Sequence, residues 1–452
     1  MSNDLRKFKL HAAIFLSTSA LIWLVVYSII LTSSGFRILS PGLMADISSL
    51  SYGRLDSAST FTLQYGFLVQ FGLAIMAWIF CFRGKTVLVD KGFVYIGGII
   101  WNLGVTIGLI GILTGQASGL SGLQMPSQSI PVLLVGFILV SISLIQTNNR
   151  RTDLEMMPEN WFLLISILWF PWTLGGAYVL LYIKELNGVL SNIADWWFIN
   201  NFYKIYLTFV SIGILIHFLN TLLGVKLSRM HIITSIWILL LSGSIGGVSP
   251  GAPVPAWMPA LSTVMSVFYF FGILILLKSI YDSIKNTKSL KSVNVFTYSF
   301  LFFSIGIFAF ASILNFIFSF PSLGRIAEFT FFVPSVEKLY QLGFCGASMF
   351  LAYTYLIPNL ISKDGKKSNF KYFTLLLVLG ILLSTLPSAL TGLLTGDGTL
   401  TSGLLFVSFG NVLFMLGSFL LFLNFLKLLY FSFVECDCLY FIKGKKSETS
   451  EA

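Results

Sequence analysis

Charge is what this sequence has least of. Only 10% of its 452 residues are Asp, Glu, Lys or Arg, against 56% hydrophobic, and the mean hydropathy is +0.88. A surface built from such a composition would aggregate in water, which excludes an ordinary soluble enzyme or scaffold. Histidine is scarcer still: His11, His217 and His231 are the whole supply, too few for a chain with several imidazole-bound metals. The four cysteines provide no disulfide framework. Cys81 and Cys345 fall in apolar runs, and Cys436 and Cys438 form a lone CDC whose missing third and fourth ligands make it an incomplete zinc site. They read as loose membrane-proximal thiols, with acylation as the alternative. Polar stretches long enough to bury a core are absent as well, the longest being 34–58 and the tail from about 435.

What is present is a series of apolar runs, each about 20 residues and long enough to cross a roughly 30 Å hydrocarbon layer. They predict an all-α integral membrane protein of twelve spans: 11–33, 59–82, 92–115, 130–147, 161–183, 196–224, 230–249, 257–281, 294–320, 333–361, 371–394 and 402–431. Residues 1–434 are expected to form a single membrane domain, followed by a short polar tail, 435–452. The first run has full span length and no small-residue cleavage site, so no cleavable leader is expected.

The net charge of +10 does not point to nucleic acid, because the cations alternate by loop. Arg6, Lys7 and Lys9 precede the first span. Arg83, Lys85 and Lys91, then Arg150 and Arg151, then Lys226 and Arg229 follow the second, fourth and sixth. Lys278 to Lys291, Lys363 to Lys371 and Lys443 to Lys446 continue the pattern. The opposite loops are nearly free of Lys and Arg, so the positive-inside rule places both termini in the cytoplasm. Prolines gather near span ends, including Pro250, Pro253 and Pro255 in a rigid turn at 246–257; Pro171, within WFPW, is an expected mid-span kink.

Seven short strings then occur in one order: LSYGR at 50–54, WNLG at 101–104, WFPW at 169–172, WWFINN at 196–201, PVPAW at 253–257, VMSV at 264–267 and YLIP at 355–358. Together, within a twelve-span frame, the chain resembles the cbb-type (C-family) heme-copper oxidase catalytic subunit I. That family needs six histidines for two hemes and a copper, and the resemblance implies where each is replaced. The histidine after the GR pair falls on Ser59, and the HxH pair of the tenth span falls on Val336 and Lys338. The copper histidine of the sixth span falls on Asn200, and the pair after the seventh falls within 246–250, on Gly247 and Val248. None of these is an imidazole or thiolate donor suited to heme or copper. The tyrosine of the family's seventh span and the glutamate of its ninth have no counterpart. The resemblance therefore implies a degenerate paralogue without heme or copper and without oxygen chemistry.

Two packing questions follow. A lysine within a span costs roughly 2.5–3.5 kcal/mol on insertion scales, so Lys338 calls for a partner. In the family the second and tenth spans face each other, so an Asp56–Lys338 ion pair or a Lys338–Ser59 hydrogen bond is expected; the alternative is snorkelling beside Glu337 and Glu328. Vacated heme pockets must also be refilled, with Phe61 a specific filler and bound lipid or quinone the competitor. The three histidines read as interfacial rings, with His217 and His231 the only conceivable facing pair.

The leading expectation is a structural or assembly subunit of a larger respiratory membrane complex in the bacterial inner membrane. Its partners would be lipid and other membrane subunits, a membrane-anchored c-type cytochrome among them, and not nucleic acid. A second is a proton or small-ligand conduit or sensor through the vestigial channel, with Thr234, Ser235, Ser262, Thr263 and Ser266 as candidate lining. A third is residual electron transfer through unusual heme ligation involving Lys338.

Overall fold

The computed structural model describes residues 11–43, 45–152, 155–225, 227–285, 294–328, 330–361, 370–394 and 401–448. Among them there is no strand, as expected where the solvent is lipid and each backbone amide must be satisfied within its own helix. The helices are α1 (His11–Leu39), α2 (Tyr52–Gly84), α3 (Lys91–Thr114), α4 (Ser129–Asn149), α5 (Pro158–Ile183), α6 (Val189–Leu223) and α7 (Arg229–Ser244). They continue with α8 (Trp257–Lys285), α9 (Val295–Phe318), α10 (332–361), α11 (Lys371–Leu394) and α12 (Thr401–Glu448). A two-turn helix, Pro321–Ala327, lies between α9 and α10. Ten of the helices are long and apolar enough to cross a membrane; α7 is apolar but has 16 residues. The polar tail expected from 435 continues α12 as helix to Glu448, and the side chains of Cys436 and Cys438 lie outside the described residues.

Helix ends follow the local sequence. Pro158 opens α5, where its missing N–H would have had no partner, and Gly115 closes α3 at φ 95°, a left-handed cap that glycine adopts without strain. Sequence neighbours pair as hairpins, α3 with α4, α7 with α8 and α11 with α12, while α12 returns to α1. In the α3–α4 pair the backbones approach closely: a Cβ built on Gly97 would lie 2.7 Å from Gly136 O, and one on Gly136 would lie 2.7 Å from Trp101 N. Without a hydrophobic drive between helices in lipid, such close approach is what allows dispersion forces to hold them.

Two helices form the centre. In α2 and α6, 94% of the most apolar window is buried, against half or less in the other long helices. Outer faces show the reverse pattern, with Leu168, Trp237, Leu241 and Phe268 exposed, as expected of side chains that meet lipid. Both central helices and α10 are interrupted by wide π-helical turns, at Thr62–Val69, Phe202–Leu207 and Tyr340–Gly346. Such turns re-aim side chains and concentrate at functional positions.

Candidate functional site

These three of the five π-helical turns among the described residues converge. Gln64 of α2 and Gln341 of α10 each donate an amide N–H to the Tyr203 hydroxyl of α6, at 2.8 and 3.0 Å, and approach each other at 3.5 Å. One turn further, Tyr269 of α8 donates to Lys204 O at 2.7 Å and touches Thr208 Oγ1 at 3.3 Å, and Thr208 shares a 2.5 Å hydrogen bond with Tyr340. Of these groups Tyr203, Lys204, Tyr269, Tyr340 and Gln341 line a cavity of about 380 Å³ that runs from the loops carrying Ser121, Gly247 and Glu328 into the middle of the bundle. Its walls include Trp196, Asn200, Asn315, Phe316, Glu337 and Tyr340. Lys204 sits at the floor, with Nζ 3.3 Å from Ser266 Oγ and 5.4 Å from the Tyr269 ring centre. Glu337 presents its carboxylate on the opposite helix. Among the described residues neither forms an ion pair. At the mouth, burial pushes the Glu328 carboxyl above its ordinary value while the Gly251 amide pulls it the other way.

The expected clamp between Asp56 and Lys338 does not form. No ion pair joins them, and the Ser59 hydroxyl turns back onto Asp56 O at 2.8 Å. The reason lies in the packing: the Tyr52–Phe61 segment of α2 rests on α1 and α3, while the first turns of α10 pack mainly on α11 and α9. Helices α2 and α10 do meet, but deeper, through Gln64 and Gln341 and through the stacked Phe67 and Phe350 rings, 5.7 Å apart. It is Glu337, not Lys338, that faces the cavity; a step of one residue turns a helical side chain by about 100°. Val336 is buried with Phe332, Ala327 and Ala389.

Asn200 and Gly247 are brought together. Gly247 has φ 93°, and a Cβ there would lie 2.6 Å from Asn200 Cβ. Asn200 Nδ2 donates to Gly243 O at 2.6 Å, and Asn201 Nδ2 donates to Ser244 O at 3.3 Å and to Trp197 O at 2.8 Å. The two amides thus satisfy carbonyls that the end of α7 would leave orphaned. Val248 N donates to Ser262 Oγ at 3.1 Å. Among the described residues there is no group of three or more His, Cys, Asp or Glu close enough to hold a metal ion. The hydroxyl of Ser59 and the amide of Asn200 are already committed to backbone carbonyls.

His217 is not the interfacial ring its position suggests. It is fully buried, edge-on to Trp78 at 5.1 Å, and its Nδ1 accepts from Arg83 Nε at 3.1 Å. Arg83 Nε also lies 2.6 Å from Glu159 Oε1, and Glu159 is fully buried. His11 is exposed and His231 half-buried, and no contact pairs His217 with His231. Phe61 is buried, and it heads a stack with Tyr65 (5.1 Å) that continues to Phe202 (5.7 Å).

Lys204 and Glu159 escaped the sequence reading, and the cavity carboxylates Glu337 and Glu328 entered it only as neighbours of a snorkelling Lys338. Lys204 had a visible signal, an ionisable residue inside the expected sixth span. Glu159 stood just outside the expected fifth span, where an acid passes as a solvated end.

A scan against protein-family models finds no match, and no curated protein sequence matches the chain. The fold and site define an all-helical, multi-pass membrane protein with a polar central cavity.

Proposed function

We propose that the chain is a cofactor-free relative of the cbb-type heme-copper oxidase catalytic subunit, serving as a structural or assembly subunit of a larger, cytochrome-containing complex in the bacterial inner membrane. In this reading α7 and α10 complete a twelve-span frame with both termini cytoplasmic, as the alternating cationic loops favour. The observation that carries it is the fate of the implied ligand positions. Asn200 and Gly247, 47 residues apart in sequence, touch each other beside the central cavity, yet Asn200 spends its amide on capping α7. Ser59 is bound to its own helix. On this reading one pair of implied ligand positions, Asn200 with Gly247, still lies together while the groups there have packing and capping work, whereas Ser59 and Lys338 lie apart. On this reading the stack of Phe61, Tyr65 and Phe202 is the filling that a vacated heme pocket would require. Affinity capture of the tagged chain from native membranes, after mild cross-linking, tests this: stoichiometric recovery of other membrane subunits supports it, and recovery of the chain alone contradicts it.

A second reading, a small-ligand conduit or sensor, is favoured by one observation of its own. The cavity keeps a lysine and a glutamate on facing helices without pairing them, an arrangement that pure packing would remove because each charge is costly in the bilayer.

A further inference from the structure

The polarity of the cavity is divided between its walls. On α6 the lining carries donors. Lys204 Nζ has Ser266 Oγ and the Tyr269 ring as its neighbours, which leaves ammonium N–H groups to face the cavity. The Tyr203 hydroxyl accepts from both Gln64 and Gln341, so its own hydrogen is free to be donated elsewhere. Across from them, α10 and the turn before it carry acceptors, Glu337 and Glu328. Apolar side chains complete the lining, Trp196 on α6 itself, Phe270 on α8 and Phe316 on α9. An anion placed here would satisfy Lys204 and be repelled by Glu337, and a cation would do the opposite. Only a solute with both charges answers both walls, and about 380 Å³ lies at the low end of the range in which small-molecule pockets occur.

We infer that the cavity is a binding site for a small zwitterion of amino-acid to dipeptide size, its carboxylate on Lys204 and Tyr203 and its ammonium on Glu337. The inference rests on the ligand-cavity reading above. Entry is from the end of the bundle that bears Ser121, Gly247 and Glu328. Charge complementarity at both ends sets specificity, because a ligand lacking one end leaves Lys204 or Glu337 without the opposite charge that end would supply.

The test uses the full chain in detergent, titrated by calorimetry with dialanine, N-acetyl-dialanine and dialanine amide. Dialanine should bind saturably and at least about tenfold more tightly than either blocked form. Lys204→Met should abolish the preference for the free carboxylate and keep that for the free amine; Glu337→Gln should do the reverse. Equal binding of all three, or no saturable binding of any, overturns the inference. To separate this from failure of the cavity reading, Asn315→Cys is treated with a small water-soluble thiol reagent and the label is located by peptide mass spectrometry. Labelling at position 315 without dialanine binding leaves an open cavity of another specificity and sinks the zwitterion alone. Absence of labelling shows the cavity closed and sinks both. Melting temperatures of the variants within a few degrees of the parent show that they are folded.

Discussion

Replacing Arg83 by methionine removes the guanidinium that lies 2.6 Å from Glu159 Oε1. The carboxylate it leaves behind is fully buried, its Oε2 has no hydrogen-bond partner, and its remaining neighbour is an imidazole nitrogen 3.5 Å away. Removing one partner of a buried ion pair costs about 3–5 kcal/mol, since the other charge cannot reach water. The reverse change is milder. Arg83 is 16% exposed on the last turn of α2, so in Glu159→Gln its long stem can carry the charge toward the headgroups, and the loss should be roughly 1–3 kcal/mol. The double variant Arg83→Met with Glu159→Gln leaves no charge stranded and should be more stable than Arg83→Met alone. Unfolding free energies in bicelles, read by steric trapping, give all three values. The reasoning is refuted if Glu159→Gln proves the costlier single change, or if the two losses simply add in the double variant.

Three further outcomes are expected. Tyr203→Phe deprives two amides, Gln64 and Gln341, of their shared acceptor and should lower stability by about 1–3 kcal/mol; an unchanged melting temperature would mean that the three helices are not joined there. Gly108→Ala drives a methyl group into the Phe61 ring and should cost about 1–3 kcal/mol by overpacking, while the added change Phe61→Leu should recover much of the loss, and failure of that rescue would place the strain elsewhere. The Glu328 carboxyl, held above its ordinary 4.5, binds its proton more tightly folded than unfolded, so its contribution to stability is greatest below 4.5 and declines as pH rises through the raised value. Melting curves of the parent and Glu328→Gln across that range should therefore show the parent's relative stability falling with pH, and a rise would contradict the sign.

The helices themselves were legible because a bilayer permits little else: an uninterrupted apolar run must be helical, so the expected spans fall within a few residues of α1 to α12 at most ends. The interior was less so. Nothing in hydropathy marks the π-helical turns at Thr62–Val69, Phe202–Leu207 and Tyr340–Gly346, because they arise from how the three helices pack. They are what turn Gln64, Tyr203 and Gln341 toward one another. Lys338 drew attention as a charge within a span, yet its neighbour Glu337 is the one that lines the cavity; choosing between adjacent residues requires the rotation of the helix about its axis, which a pattern with apolar residues on all sides does not encode. The same uniformity hid the burial of His217, since an imidazole near a span end reads alike whether it meets headgroups or Glu159.

The proposed identity, an oxidase-subunit frame kept without its cofactors, is tested most directly by the visible absorption spectrum of the purified chain, with copper measured on the same sample. The account predicts no Soret band and no bound copper; a Soret band at stoichiometric heme would contradict it.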